Sequence, residues 1–218
     1  MGRCEQMMTD AGQSNLSAQG VLVRPMRSDD ALAVAQLHID QIGNGFLASF
    51  PPKVLAAIYR TVTEAPTAFG FVADVAGQCE GFIACATDLR KLYRRVLWRR
   101  GPWMAMRLMP MLAYPRFVRR VLETFWYPSK VRHLHLPPAE VLSMATSPAY
   151  RKQGVGCSLV HAALAEFRQR NCPSVKVLVG SQLVAAQKFY VRIGFHLFGK
   201  LEHHGASENI YVMDLARE

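Results

Sequence analysis

One segment constrains this chain more than any other. A short apolar run, Glu140–Thr146, leads into Ser147-Pro148-Ala149-Tyr150-Arg151-Lys152-Gln153-Gly154-Val155-Gly156. Beyond it Val155, Leu159, Val160, Ala163, Leu164 and Phe167 recur at the spacing of one helix face. The pattern is strand, glycine loop, helix. The first N–H groups of a helix have no partner inside it, and the helix dipole adds partial positive charge at the same end. Glycines let the backbone curl so that several N–H groups converge on one anion. Arg151 and Lys152 add two full charges beside them. A diphosphate suits such a site. The glycine spacing alone also suits an ordinary helix entry, so its surroundings decide what it means.

Those surroundings read as a mixed sheet with helices. Val21–Pro25 is a short strand, and Ser28 is the expected N-cap of a helix whose apolar positions are Leu32, Ala35 and Ile39. Gly43-Asn44-Gly45 ends it, and a second helix runs from about Pro52 to Glu64. Phe69–Val75 and Gly81–Thr87 form a hairpin around Ala76-Gly77-Gln78. After the glycine loop and its helix come a strand at Val175–Val179 and a helix at Val184–Ile193 stopped by Gly194. Two terminal strands follow, Phe195–Glu202 and Asn209–Leu215. This order lacks the regular alternation of a doubly wound fold. Residues 1–20, rich in Gly, Gln, Ser and Asn, are expected to be a flexible tail, and 21–218 a single domain.

Two motifs in that frame carry a resemblance. Leu142-Ser143-Met144-Ala145-Thr146-Ser147-Pro148, followed by Arg151-Lys152-Gln153-Gly154-Val155-Gly156, resembles the hallmark of the GCN5-related N-acetyltransferase (GNAT) family, with Thr146 where Val is usual. Ala186-Gln187-Lys188-Phe189-Tyr190-Val191-Arg192-Ile193-Gly194-Phe195 resembles a second signature of that family. The resemblance implies an α/β (α+β type) acyl-CoA N-acyltransferase fold, with a central, mixed, mostly antiparallel sheet that splays near Thr146. It implies acetyl-CoA as co-substrate, with the main chain of Met144, Ala145 and Thr146 pairing with the pantetheine arm. Arg151, Lys152, Gln153, Gly154, Val155, Gly156 and Cys157 would wrap the pyrophosphate, and no metal is expected. The family often has Asn at the position of Leu183, a contact that Leu cannot make and that Gln182 or Ser181 would have to replace.

Acetyl transfer to an amine needs a proton acceptor, an oxyanion donor and a proton for the departing thiolate. The resemblance implies direct attack by the amine, and the expected acceptor is a primary amine of a small molecule, such as an amino sugar or polyamine. Tyr190 is the candidate acid, because a phenol is protonated at neutral pH, although its helical spacing with Leu183 and Ala186 also fits a core face. The resemblance makes Glu140 the candidate base, directly or through a water, because histone-acetylating members carry a catalytic Glu on the same strand fourteen residues before the position of Gly154; the plainer reading is a solvated strand-end carboxylate. The oxyanion is assigned to the N–H of Ala145 or Thr146. Cys157, at a helix start, invites a nucleophile reading, but no His stands beside it in the sequence. The resemblance places the acceptor pocket near Gly43-Asn44-Gly45-Phe46-Leu47, in the loop after the first helix, and so makes Phe46 the candidate acceptor contact.

Residues 90–132 form a basic helical insert that the resemblance does not cover. They hold twelve Lys or Arg and one acid, Glu123, a balance of +11 against +10 for the whole chain. Trp98, Trp103, Met104, Met106, Met109 and Met111 are interleaved with the charges, and Pro102, Pro110 and Pro115 are expected to break the helix into pieces. A lid over the acceptor, a site for an anionic substrate or membrane surface, and a nucleic-acid surface all fit. A chain that binds acyl-CoA without turnover, or a membrane-peripheral protein acting through the insert, are the rival functions. Five scattered cysteines and no signal-type stretch lead to a cytoplasmic expectation, and an oligomer is left open.

Overall fold

In a computed structural model of the chain, residues 20–43, 45–112, 114–115, 117–119, 136–203 and 206–215 are described. The expected tail lies outside them except for Gly20, as does most of the insert beyond 112. The elements are β1 (Val21–Pro25), α1 (Ala31–Gln41), α2 (Pro52–Glu64), β2 (Ala68–Val75), β3 (Gln78–Ala86), α3 (Leu89–Leu112), β4 (Glu140–Thr146), α4 (Val155–Gln169), β5 (Ser174–Gly180), α5 (Val184–Ile193), β6 (His196–His203) and β7 (Ala206–Asp214). Seven strands form one sheet in the order β1-β2-β3-β4-β5-β7-β6. Every pairing is antiparallel except β4 with β5, which α4 joins as a crossover.

Strand alternation sorts the core into two faces. In β3, Ile83 and Cys85 pack with α4, while Phe82, Ala84 and Ala86 pack with α1 and α2. The six α4 residues expected on one helix side are all buried. Ala76 and Gly77, with φ of 48° and 84°, make the two-residue turn that matches strand twist, and Val75 pairs with Gln78 across it. Gly194, with φ of 113°, ends α5 as the sequence suggested.

Three expectations are corrected. Ser28 does not cap α1: its hydroxyl bonds the Thr63 hydroxyl at 3.1 Å, and Asp30 accepts the Arg27 N–H at 2.7 Å within a separate short turn, Ser28–Asp30. The buried face of α1 is Ala31, Val34, Ala35, Leu37 and His38, while Leu32 is 54% exposed. The helix sits about one position away from the phase expected, because the stripe Ala31-Val34-Ala35-His38 has a polar last member. The insert is not broken at Pro102 or Pro110, since α3 runs through both. Each proline deprives the carbonyl four residues earlier of its donor. Pro102, Pro110, Trp98 and Met106 are all exposed, so those carbonyls belong to the water-facing side, where solvent can replace the lost donor.

Candidate functional site

The site begins with an irregularity in β4. Cys85 of β3 pairs with Val141 and Ala84 pairs with Ser143, so Leu142 is an extra residue without an opposite partner. A bulge bends the strand that carries it and re-aims the side chains around it. β4 pairs with β5 only at Glu140–Lys176 and Val141–Val177, and the two strands part where the bulge occurs. From Leu142 to Thr146 one edge of β4 therefore has no strand partner among the described residues. Met144, Ala145 and Thr146 all lie on this open stretch, so the splay expected near Thr146 starts four residues earlier.

The glycine loop closes the far end of that opening. Lys152 and Gly154 both have positive φ, 62° and 93°. Left-handed residues at two nearby positions make the backbone curl, which can turn N–H groups to one side. The first helical bond of α4 is Ser158 N–H to Gly154 O, at 3.0 Å. The N–H groups of Val155, Gly156 and Cys157 precede it, at the positive end of a fifteen-residue helix. The Gln153 amide donates to Ala149 O at 2.6 Å and pins the loop. The Arg151 guanidinium donates to Thr146 O at 3.2 Å and to the Gln41 amide oxygen, so it spans the loop, β4 and α1. Phe189 packs against the start of α4: a Cβ added at Gly156 would lie 3.5 Å from its ring. That is ordinary van der Waals contact, so the ring and the first turn of the helix lie against each other there. The backbone curl and the cationic surroundings fit a pyrophosphate.

Tyr190 is 5% exposed, in the core cluster that also holds Val141, Val177, Val179 and Met144 of the parting strands. Its ring meets Phe189 and Phe195 edge-on, each at 5.3 Å. Burial raises the pKa of its phenol, and the nearby Cys85 thiol raises it further. The hydroxyl is thus held protonated, and it makes no hydrogen bond among the described residues. Glu140 is not a solvated strand end. It is 7% exposed and its carboxylate lies 3.1 Å from the ammonium of Lys176, itself 4% exposed. Lys176 also donates to Pro137 O. The phenol of Tyr93, on α3, is pushed up mainly by burial and further by the carboxylates of Glu140 and Glu208. The three side chains thus gather at the head of the opening, where Leu89, Leu136, Leu142, Leu178 and Leu201 form a small apolar cluster with Tyr93.

Phe46 does not stand alone. Its ring is 5.1 Å from Phe50 and 5.7 Å from Phe117 of the insert, so the insert closes over the loop after α1. Leu183 is 50% exposed at the start of α5, and the Gln182 amide is folded against Gly180, the last residue of β5. His133 and His135 lie outside the described residues, which contain no cluster of three or more His, Cys, Asp or Glu able to hold a metal.

The sequence reading missed a buried polar chain. His38 Nδ1 lies 2.5 Å from Tyr59 Oη, which lies 2.8 Å from Ser143 Oγ on the open stretch of β4. His38 is 3% exposed, its ring is stacked on Phe82 at 6.2 Å, and its Nε2 is buried without a partner. Desolvation pushes its pKa down to about 4, so the ring is neutral at pH 7. A buried N–H without an acceptor costs more than an unused lone pair. The favoured chain therefore has Nδ1–H donating to Tyr59 and Tyr59 donating to Ser143. The Ser143 hydroxyl proton is then left to donate at the opening. The signal was present as a histidine closing the apolar stripe of α1.

The profile of the Acetyltransferase (GNAT) family matches residues 121–195, the portion that holds β4, the glycine loop, α4 and α5. No curated protein sequence matches the chain. Among solved structures, SsHAT is 21% identical with a TM-score of 0.66, covering 91% of this chain and 100% of its own. An N-acetyltransferase from Staphylococcus aureus Mu50 is 14% identical with a TM-score of 0.59, covering 90% and 99%. Arabidopsis thaliana NAA60, solved in complex with acetyl-CoA, is 14% identical with a TM-score of 0.57, covering 89% and 98%. The fold is that of the acyl-CoA N-acyltransferases, and the GNAT resemblance is supported by both sequence profile and architecture.

Proposed function

We propose that this chain, a protein of GNAT fold with a GNAT-family match over residues 121–195, transfers the acetyl group of acetyl-CoA to a primary amine. One observation carries the reading. β4 loses its partner on one edge from Leu142 onward, and that open edge ends at a loop whose N–H groups are turned for an anion. An extended arm with a diphosphate at one end matches both features. Met144, Ala145 and Thr146 would pair with the arm, and residues 151–157 would hold the diphosphate. The thioester would lie near the bulge.

Acetyl-CoA supplies an activated carbonyl with a thiolate as leaving group. As the amine nitrogen bonds to that carbon, the oxyanion is received by the N–H of Thr146, which faces the open edge because Ser147 and, by antiparallel alternation, Ala145 bond β3; the C–S bond then breaks. Tyr190 gives its proton to the sulfur. The proton lost by the amine passes to Glu140, directly or through a water. The Lys176 ammonium keeps the Glu140 charge stable in a buried setting and orients it.

A small acceptor is favoured over a protein chain. The insert packs into the core on the α1 and α2 side through Leu92, Val96 and Leu108, and Phe117 closes on Phe46, the expected acceptor contact. The test is a panel of amino sugars, polyamines and short peptides with acetyl-CoA, followed by thiol release and product mass. Acetylated small amines support the reading. Acetylation of peptides alone would overturn the small-acceptor assignment, and thiol release without any acetylated product would overturn amine transfer.

A further inference from the structure

The exposed face of α3 is used by nothing described above, and its chemistry is unusual for a solvated helix. α3 has seven basic residues and no acid. Two of the basic residues have acidic partners: Lys91 pairs with Asp88 at 3.2 Å and Arg100 with Glu64 at 3.0 Å. Arg94, Arg95 and Arg99 have no ion pair among the described residues, and the Arg95 Nε is buried without a hydrogen-bond partner. With Lys91 and Trp98 they line a cleft of about 390 Å³ against the turn at Pro66 and Thr67.

The apolar residues of the same face are as telling. Trp98 is 83% exposed, Met106 61% and Met109 65%, while Trp103, Met104 and Met111 are turned inward to the core. Lys91, Arg94, Trp98, Pro102, Ala105 and Met109 follow one another at three- and four-residue steps, all exposed. At 1.5 Å per residue this strip is about 27 Å long. Its first half is basic and its second half apolar. No helix of the described residues is long and apolar enough to cross a membrane.

We infer that the exposed strip of α3 docks the protein on an anionic phospholipid surface, with lipid phosphates in the Arg94–Arg99 cleft and Trp98, Met106 and Met109 at the acyl boundary. A small phosphate ligand would account for the cleft and leave Met106 and Met109 in water. A nucleic acid would account for the guanidiniums and for Trp98 as a stacking platform, again without a place for two thioether side chains. An anionic bilayer offers phosphate and hydrocarbon in adjacent layers, which the strip matches along its length. The inference does not depend on the proposed acetyl transfer.

The experiment is co-sedimentation of the full chain with vesicles of phosphatidylcholine alone or with about 30% phosphatidylserine, at low and high salt. The variants are Arg94→Glu with Arg99→Glu, and Met106→Ser with Met109→Ser, all at exposed positions outside the candidate site. Circular dichroism and acetyl-CoA titration report folding and the donor site separately, so failure here is distinguishable from failure of the enzymatic reading. The expected result is binding to the phosphatidylserine vesicles only, weakened by salt. Each double variant should lower that binding by roughly tenfold or more. No binding to the anionic vesicles overturns the inference. So does vesicle binding that the methionine pair leaves unchanged. Preferential binding of a single-stranded oligonucleotide that only the arginine pair disrupts would assign the face to nucleic acid instead.

Discussion

Tyr59 Oη lies 2.8 Å from Ser143 Oγ, joining α2 to the one stretch of β4 that has lost a strand neighbour. The contact spans 84 residues of sequence and holds the rim of the proposed thioester site against the helical layer. β3 holds that stretch along its other edge, and the Tyr59 contact adds a restraint from the helical layer.

Tyr59→Phe should therefore cost more than a surface change. It leaves His38 Nδ1 and Ser143 Oγ without their shared partner in a buried setting, which costs about 1–3 kcal/mol. Urea unfolding would measure the loss. Acetyl-CoA affinity should change little, because Tyr59 is not among the residues proposed to hold the cofactor.

His38 should give the protein a stability that depends on pH. Its pKa is lowered by burial to about 4 from an ordinary value of 6.5, among Tyr59, Phe82 and Ser143. Between those values the unfolded chain binds a proton that the folded one does not, so stability falls as pH falls. The contribution is fully present above about 6.5 and lost as the pH drops to about 4, amounting to about 3 kcal/mol at most. Thermal unfolding from pH 7 to pH 4 should show this slope in the wild type and a shallower one in His38→Gln.

Lys176→Met tests the buried pair with Glu140. Removing the ammonium leaves a carboxylate in the core and should cost about 3–5 kcal/mol. Adding Glu140→Gln should recover much of that loss, since the stranded charge is then gone. The double variant should remain inactive if Glu140 takes the amine proton, and its recovered stability separates that effect from unfolding.

Tyr190→Phe conserves volume within a packed ring cluster, so stability should change by less than about 1.5 kcal/mol. If Tyr190 protonates the thiolate, kcat should fall roughly a hundredfold while acetyl-CoA affinity stays the same. An unchanged kcat would return Tyr190 to a packing role. A chain that binds acyl-CoA without turnover would show no rate to lose.

Much of the fold was legible because its signals are local. α5 and its Gly194 stop, the α4 buried face and the Ala76-Gly77 turn each depend on a few adjacent residues. The glycine loop was legible for the same reason. The bulge at Leu142 was not, because it is a property of pairing with β3 rather than of β4 alone. Nor was the polar chain, whose members are 21 and 84 residues apart. The prolines of α3 misled for a physical reason. Their cost depends on whether the orphaned carbonyls face water, and the sequence does not state which face that is. Glu140 was read as a candidate base beside the plainer alternative of a solvated strand end, and its burial against Lys176 was not legible because that partner comes from a different strand.

Calorimetric titration of the chain with acetyl-CoA, beside Gly154→Glu, tests the central claim most directly. Gly154 has φ of 93°, which a side chain resists, and a carboxylate there would also repel a diphosphate. The account predicts binding in the micromolar range by the wild type and none by a folded Gly154→Glu. A folded wild type that binds no acetyl-CoA, or a variant that binds it as well as the wild type, would contradict the account.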